Sequence, residues 1–351
     1  MSYFLANIDK ISGYTPGYQP DDTDVVKLNT NENPYPPSPR VMEAISQIRP
    51  EHLRMYPRPF LGDTFRNAAG KILGVEPDNI ICTNGGDDLL TIAVRSFCDR
   101  NRPVAYPSPT YSLYPVLSDI QNCPAAIEIP FGKDYSLPDE LADTGASLTI
   151  VCNPNAPTGS FVSAARLKKL ADDLKGKSIL LIDEAYVDFA ESNCLDLIKT
   201  CENVIILRSM SKGYSLAGLR FGFGIAPKPL IDGMRKVKDS YNVDAIAIAA
   251  AAAAISDQDY FKSTVEKVKS QRAFLTGELR KIGFDVPQSS ANFLLAKCLN
   301  CNAEDIYAKL AEKNIFVRYF ELEGLTDKLR ITVGTEEQNK KLISALKDIL
   351  S

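Results

Sequence analysis

Short apolar, β-branched runs alternate with amphipathic stretches through the middle of the chain, and this alternation constrains the fold more than any other feature. It is typical of βαβ units arranged around a mostly parallel sheet. Because helices cover both faces of such a sheet, its strands read as continuous apolar runs. The clearest run is Ile179-Leu180-Leu181-Ile182, which we expect in the middle of the sheet. The pattern predicts an α/β fold.

The second half of the chain changes character after residue 238. An Ala-rich stretch precedes a charged segment, which predicts a long helix over residues 256–282 with Ser256 as its N-cap and Gly283 as its stop. Strand-like runs and a C-terminal helix then indicate a small α+β unit. At about 150 residues per domain, 351 residues also favour two domains. The predicted parts are a large domain over residues 45–240, a small domain over residues 241–351, and an N-terminal arm over residues 1–44.

Composition excludes several classes of protein. Lys+Arg 40 against Asp+Glu 44 gives a net charge of −4, so no broad basic surface is expected for nucleic acid. The longest apolar run is shorter than the roughly 20 residues that span a bilayer, and the N-terminus does not resemble a secretory signal. The cysteines require no disulfide framework, and Cys298 and Cys301 lack the second pair of a metal site. We expect a cytoplasmic protein that binds no metal, nucleic acid or membrane.

One lysine and one acid follow predicted strands. Lys212 lies in a hydroxyl-rich turn after an apolar strand, where partial burial lowers a lysine pKa and makes the amine a nucleophile. An isolated lysine is more often a solvated loop residue. Asp183, however, ends the most apolar strand, where an unpaired charge is costly, so a cation should face it. Ligands bind beyond the carboxyl ends of strands in α/β sheets, so Asp183 and Lys212 can meet at one site.

A second group of residues can bind a phosphate. Gly85 and Gly86 join a strand to a helix, where glycine permits close backbone approach and the free N–H groups attract an anion. Ser209, Ser211 and Arg220 can complete the site with two hydroxyl donors and a guanidinium. A glycine turn alone is weak evidence, so the prediction depends on these groups acting together.

Tyr111 offers a flat face on which an aromatic ring can stack, although core packing is the commoner fate of a single tyrosine. A stacking face, a phosphate site, an acid for a ring nitrogen and a lysine for an aldehyde are together what pyridoxal phosphate requires. A different class of function stays open at this point, a non-catalytic module that binds a nucleotide or pyridoxal phosphate as a regulator. A dinucleotide site is disfavoured because Asn84-Gly85-Gly86-Asp87 does not match G-x-G-x-x-G.

Four motifs resemble, in order and spacing over nearly the whole chain, those of fold-type I pyridoxal-phosphate aminotransferases. They are Asn153-Pro154-Asn155-Ala156-Pro157-Thr158-Gly159, Asp183-Glu184-Ala185-Tyr186, Ser209-Met210-Ser211-Lys212 and Leu216-Ala217-Gly218-Leu219-Arg220. The resemblance implies a large cofactor-binding domain with a mostly parallel central sheet flanked by helices, plus a smaller α+β domain. It also implies pyridoxal 5'-phosphate as the cofactor.

Within that family, the opening Leu28-Asn29-Thr30-Asn31-Glu32-Asn33-Pro34, the pair Tyr56-Pro57 and the length are most similar to members that act on histidinol phosphate. This resemblance implies amino transfer between L-histidinol phosphate and 2-oxoglutarate in histidine biosynthesis. Transamination of aromatic or other amino acids, and decarboxylation of threonine phosphate, stay open because such enzymes share the cofactor residues and differ in the substrate pocket.

The resemblance implies a role for each site residue. Lys212 would hold the cofactor covalently and move a proton, Asp183 would pair with the ring nitrogen, and Tyr186 would hydrogen-bond the ring hydroxyl. The other implied cofactor contacts are Gly85, Gly86, Asp87, Tyr111, Asn155, Ser209, Ser211 and Arg220. The implied substrate contacts are Tyr14, Arg318 and Arg330.

Two further implications concern the dimer and a departure from the family pattern. In the family, a tyrosine that matches Tyr56 reaches the cofactor phosphate of the neighbouring subunit, which implies a homodimer. The family usually has asparagine immediately before Pro-Thr-Gly, where this chain has Ala156. The neighbouring Asn155 is the candidate to replace it.

Overall fold

The computed structural model describes residues 2–14, 17–21, 24–57 and 59–351. Its strands are β1 (Val26–Lys27), β2 (Ile80–Thr83), β3 (Val104–Ser108), β4 (Ile127–Pro130), β5 (Leu148–Cys152), β6 (Ile179–Asp183), β7 (Val204–Ser209), β8 (Gly222–Ile225), β9 (Phe284–Asp285), β10 (Phe293–Cys298), β11 (Ile315–Phe316), β12 (Arg318–Tyr319) and β13 (Lys328–Thr332). Its α-helices are α1 (Pro39–Ser46), α2 (Pro50–Leu53), α3 (Pro59–Leu73), α4 (Gly86–Phe97), α5 (Leu113–Ile120), α6 (Ala164–Asp173), α7 (Lys228–Arg235), α8 (Ala245–Ser256), α9 (Gln258–Lys281), α10 (Ala303–Glu312) and α11 (Glu336–Leu350).

The largest sheet has seven strands in the order β2-β8-β7-β6-β5-β3-β4. Strands β3 to β7 pair in parallel, and only β8 runs antiparallel to its neighbours β2 and β7. The predicted central strand β6 is the fourth of the seven, and Leu180, Leu181 and Ile182 are fully buried. The predicted α/β fold with a mostly parallel sheet is therefore confirmed.

Helices cover both faces of this sheet because successive strand residues point to opposite sides. Leu180 and Ile182 belong to one apolar cluster, which also includes residues of α3, α6 and α8. Leu181 belongs to the other, together with residues of α4, α5 and α7. The strand order also brings the carboxyl ends of β2, β3, β5, β6 and β7 to one edge. The loops that leave this edge hold most of the predicted site residues.

The second sheet has four antiparallel strands in the order β12-β13-β10-β9, and its apolar face packs against α9, α10 and α11. The N-terminal strand β1 pairs in parallel with β11, so the start of the chain is attached to this α+β part. The backbone N–H of Thr332 donates to the carbonyl oxygen of Leu28 at 2.9 Å, and its hydroxyl accepts from the backbone N–H of Asn31, so the chain after β1 runs along the end of β13. This path carries the N-terminal segment to the site.

One predicted helix boundary is wrong. Ser256 does not cap the long helix but ends the preceding one, where its hydroxyl donates to the carbonyl oxygen of Ala252 at 2.7 Å. Asp257 is the N-cap of α9, and the left-handed Gly283 follows its end as expected. A serine next to an aspartate supplies two equivalent cap signals, and packing of the Ala-rich α8 against α1 and α3 extends that helix to Ser256.

The proposed division at residues 44 and 240 stays a prediction. Val41 and the α8 residues from Ala247 onward belong to an apolar cluster of the central sheet. Among the helices of the described residues, none has both the length and the apolar composition needed to cross a bilayer.

Candidate active site

A cavity of about 1000 Å³ opens at the carboxyl edge of the central sheet, between this sheet and the α+β part. The predicted residues that line it are Tyr14, Gly86, Asp87, Tyr111, Asp183, Tyr186, Ser209, Ser211, Lys212, Arg220, Arg318 and Arg330. They come from both sheets and from the N-terminal segment, which the topology brings together. In the part of the chain that the structure describes, no cluster of His, Cys, Asp or Glu is arranged to hold a metal ion.

Three predicted residues do not line the cavity. Gly85 lies just behind it as the N-cap of α4. Asn155 is buried, and its side chain is already used, because its amide nitrogen donates to Pro109 O and its oxygen accepts from Thr110. Asn155 therefore does not take the place of the asparagine that the family has at position 156, where Ala156 lines the cavity. Tyr56 is 75% exposed, away from the cavity of its own chain.

Asp183 ends β6, where it pairs in register with Cys152 and Leu207. Its side chain is buried, with one carboxylate oxygen accepting from the Tyr114 hydroxyl at 2.8 Å and the other from the backbone N–H of Ala185 at 3.1 Å. Burial raises the pKa of Asp183 to about 6, despite these two donors. Within the described residues no cation pairs with it, so the expected cation is not a side chain of this chain.

Lys212 lies in the loop after β7, where its amine donates to the backbone oxygen of Thr30 at 3.2 Å and lies 5.8 Å from the ring centre of Tyr186. Burial, followed by the positive charge of Arg330, lowers the pKa of Lys212 to about 8. In the described part of the chain Lys212 forms no ion pair. A lysine with a lowered pKa beside an open cavity has the properties of an amine nucleophile.

Tyr186 follows β6 by three residues and packs edge-on against Phe293, with ring centres 5.1 Å apart. Burial raises the pKa of Tyr186 to about 12, so its hydroxyl keeps its proton at neutral pH. Its oxygen accepts a hydrogen bond from the side-chain amide of Asn31 at 3.1 Å. Tyr186 therefore presents a protonated hydroxyl at the cavity.

The N-terminus of α4 and the side chain of Arg220 form a corner of the cavity that is rich in hydrogen-bond donors. Gly85 has a φ of 82°, a conformation that other residues rarely adopt, and an added Cβ would lie 2.6 Å from the Arg220 guanidinium and displace it. Arg220 itself adopts the left-handed conformation, with φ 51°, and donates to the Ser211 hydroxyl at 3.3 Å. The first N–H groups of a helix have no partner within the helix, so they add donors to this corner.

Tyr111 closes the cavity beside this corner. Its hydroxyl donates to one oxygen of Asp87 at 3.3 Å, and the other oxygen of Asp87 accepts from Arg220 at 3.3 Å. The ring of Tyr111 lies edge-on to Tyr14, with centres 5.6 Å apart. Because the Asp87 carboxylate is engaged with these two side chains, its backbone N–H is the group available to an anion.

Arg318 and Arg330 also line the cavity and are paired in register across β12 and β13. Arg330 donates to the backbone oxygen of Asn29 at 2.7 Å, and its guanidinium lies 5.5 Å from the ring centre of Phe293. Burial lowers the pKa of Arg330, and the charge of Arg318 adds to this effect. Among the described residues, neither arginine forms an ion pair and the buried Arg330 Nε has no hydrogen-bond partner. Two adjacent cations without an acid are suited to an anionic ligand.

Two site groups escaped the sequence analysis. Tyr114 donates to Asp183 from within α5, where its position in an amphipathic helix gives only the signal of a core residue. Thr30 and Asn31 contact Lys212 and Tyr186, but their stretch of sequence has no periodicity that would place it at the site. The only sequence signal for this stretch is the resemblance of the motif around Asn31 to that of the family.

Comparison with known proteins agrees with the fold. The family model described as aminotransferase class I and II matches residues 23–346. The chain therefore belongs to the class I and II aminotransferase family.

Two curated relatives that match this chain over nearly its full length share one enzyme name. Histidinol-phosphate aminotransferase 1 of Trichormus variabilis is 51% identical over 99% of this chain and 99% of its own. Histidinol-phosphate aminotransferase of Geobacter sp. (strain M21) is 41% identical over 98% and 97%. Among solved structures, histidinol-phosphate aminotransferase from Sinorhizobium meliloti, in complex with pyridoxal-5'-phosphate, has a TM-score of 0.90 and 26% identity, covering 100% of this chain and 98% of that one.

Proposed function

We propose that the protein is a pyridoxal-phosphate-dependent transaminase that transfers the amino group of L-histidinol phosphate to 2-oxoglutarate. The products are imidazole-acetol phosphate and glutamate, in histidine biosynthesis. Family membership and the shared name of full-length relatives that are 41% and 51% identical support the reaction. One structural observation supports the proposed chemistry most directly. Asp183 and Lys212 line the same cavity, and neither has an ion-pair partner among the described residues.

The residues of the cavity fit pyridoxal phosphate. Asp183 is a buried acid that no cation pairs with in the described part of the chain, which suits a protonated ring nitrogen, and Lys212 is the amine that would hold the cofactor covalently. The corner formed by α4 and the Arg220 side chain, with Ser209 and Ser211, offers donors for a phosphate. When bound, this cofactor supplies an aldehyde carbon that accepts an amino group and a ring that takes up electron density.

The side chains of the chain then have distinct tasks. Lys212, with its pKa lowered to about 8, is partly unprotonated near neutrality and can take the proton from the substrate Cα and return it. Asp183 stays negatively charged above pH 6, and a cation at the ring nitrogen would lower its pKa further. Tyr186 donates its proton toward the cavity, which stabilises negative charge on an oxygen there.

The two arginines account for the anionic groups of both substrates. Arg330 and Arg318 line the same cavity as Lys212, and a phosphate dianion or a carboxylate can receive donors from both. One pair of cations can thus serve the phosphate of the amino donor and the distal carboxylate of the acceptor in alternate half-reactions. Tyr14, which lies against Tyr111 at the cavity, would contact the substrate from the N-terminal side.

A homodimer is part of this proposal. Tyr56 stacks on Tyr241 with ring centres 4.3 Å apart, and both rings are more than half exposed. Met42, Leu53 and Met55 are exposed as well. Such a set of exposed apolar side chains is typical of a subunit interface, so Tyr56 would reach the cofactor phosphate of a second copy. The eight free cysteines suit a reducing compartment, so we also propose a cytoplasmic location.

Steady-state assays of the purified protein test the substrate. We expect turnover of L-histidinol phosphate with 2-oxoglutarate at a kcat/KM at least about 100-fold above that for phenylalanine, with no decarboxylation of threonine phosphate. Equal or better turnover of either rival would reject the proposed substrate while leaving the cofactor chemistry in place. Borohydride reduction followed by mass spectrometry should locate the cofactor on Lys212, and a label on another lysine would reject that assignment.

A further inference from the structure

The N-terminal segment of residues 29–31 contacts three groups on which the proposed function depends. The backbone oxygens of its first two residues accept hydrogen bonds from Arg330 at 2.7 Å and from Lys212 at 3.2 Å. The third residue, Asn31, donates from its side-chain amide to the hydroxyl of Tyr186 at 3.1 Å. This short stretch therefore touches the substrate side, the amine and the ring-hydroxyl side of the cavity.

The hydrogen bonds around Asn31 fix which way its amide points. Thr332 Oγ1 accepts from the backbone N–H of Asn31 at 3.0 Å and donates its own proton to Asn31 Oδ1 at 3.1 Å. The amide oxygen is thus occupied, and the amide nitrogen faces Tyr186. Because an amide nitrogen only donates, the phenol oxygen of Tyr186 accepts at this contact and its own proton is left for another acceptor.

The backbone of Asn31 is held as firmly as its side chain. Asn31 is 1% exposed and left-handed, with φ 57°, a conformation that asparagine tolerates better than most residues. Its carbonyl oxygen accepts from the side chain of Asn292 at 3.0 Å. Hydrogen bonds to the backbone N–H, the backbone carbonyl and the side chain of Asn31 together fix the position of its side-chain amide.

We propose that Asn31 is a positioning residue that directs the hydroxyl proton of Tyr186 into the cavity, toward the ring oxygen of the bound cofactor. Thr332 acts one step further back, because its hydroxyl sets the orientation of the Asn31 amide. The inference rests on the proposed function, since it assigns Tyr186 a cofactor oxygen as its acceptor. A donor aimed at that oxygen stabilises its negatively charged form and so lowers the pH at which the bound cofactor changes its visible absorbance.

The test is a pH titration of the visible absorbance of the holoenzyme. Asn31→Asp keeps the size of the side chain and tolerates the left-handed backbone, but its carboxylate would accept a hydrogen bond from the Tyr186 hydroxyl and turn that donor away from the cavity. We expect the midpoint to rise by about one pH unit, the effect of losing one hydrogen bond to a charged group. Tyr186→Phe should shift the midpoint in the same direction, and the double variant should shift it no further than Tyr186→Phe alone. Additive shifts would overturn the proposal, because the new charge would then act independently of Tyr186.

Thr332 supplies a second test that adds no charge and does not depend on folding of the Asn31 variant. Thr332→Val removes the hydroxyl and should raise the midpoint by a smaller amount, whereas Thr332→Ser restores the hydroxyl and the wild-type midpoint. Equal midpoints for these two variants would overturn the proposal. Wild-type protein that takes up no pyridoxal phosphate would reject the proposed function instead, so the two failures are distinct.

Discussion

Two pairs of buried charged side chains lie at the same edge of the central sheet. They differ in whether an oppositely charged side chain lies close to each of them. Glu184 Oε2 lies 2.8 Å from Arg208 Nε, and Arg208 also lies 3.9 Å from Asp188. Asp183 and Lys212, their near neighbours in sequence, have no ion-pair partner within the described residues. Buried charges in proteins are normally paired, so the unpaired acid and amine are the groups that a ligand would complete.

The positions of the two acids at the end of β6 accompany this difference. Asp183 is the last residue of the strand and lines the cavity, whereas Glu184 follows the strand, accepts from the backbone N–H of Cys194 and pairs with Arg208. The paired charges also contact the loop of Lys212, because the carboxylate of Asp188 accepts a hydrogen bond from the backbone N–H of Gly213 and leaves no room there for a Cβ. The paired charges hold the loops, and the unpaired charges are available for chemistry.

The largest expected effect comes from removing the unpaired amine. Lys212→Ala should lower kcat/KM for transamination by roughly 10⁴-fold, because general acid–base catalysis alone contributes up to that factor. The circular dichroism spectrum and the oligomeric state should match those of the wild type. Retention of more than about 1% of the activity would show that Lys212 is not the proton carrier, and would remove the functional contrast with the paired Arg208.

Substitution of the paired acid Glu184 should lower the stability of the protein more than its catalytic rate. Glu184→Gln leaves Arg208 buried with a weakened partner, and we expect it to reduce the free energy of unfolding by about 3–5 kcal/mol. The matched control is Asp183→Asn, one residue away, which removes a charge that has no ion-pair partner among the described residues. It should leave the cofactor-free protein at least as stable at neutral pH, while lowering kcat by about 100-fold or more through loss of charge stabilisation. Urea unfolding measures the stability of both variants, and steady-state assays measure their rates. A larger loss of stability in Asp183→Asn together with a larger loss of rate in Glu184→Gln would contradict the expected difference between the two acids.

The sequence predicted the unpaired charges better than the paired ones. An acid at the end of an apolar strand and a lysine in a hydroxyl-rich turn are visible without a structure, and the structure brings both to one cavity. The partner of Glu184 was not predictable, because it depends on the register in which Asp183 lies opposite Leu207 and so brings Arg208 alongside. Sequence patterns predict which residues form strands, whereas register depends on the packing of the whole sheet.

The N-terminal segment was not predictable for a different reason. The stretch around Asn31 has no apolar periodicity, and its place at the cavity results from the pairing of β1 with β11 and from contacts with Thr332 and Asn292. These partners lie more than 250 residues away in the chain. The orientation of the Asn155 side chain was not predictable for the same reason. Its amide group is hydrogen-bonded to Pro109 and Thr110 in a loop that is distant in sequence.

The smallest effect concerns the pH dependence of the unpaired acid. Burial raises the pKa of Asp183 from 3.8 to about 6, so the folded protein binds this proton more tightly than the unfolded chain does. The stabilising contribution is full below pH 3.8 and is lost as the pH rises through 6. Between about pH 4 and pH 7, the free energy of unfolding of cofactor-free wild type should therefore fall by about 2 kcal/mol relative to Asp183→Asn. Asp188 titrates in both proteins and cancels in this difference, while Lys212 titrates above the range. Urea unfolding of both proteins across these pH values measures the difference, and a constant value would mean that the pKa of Asp183 is not raised in the folded protein.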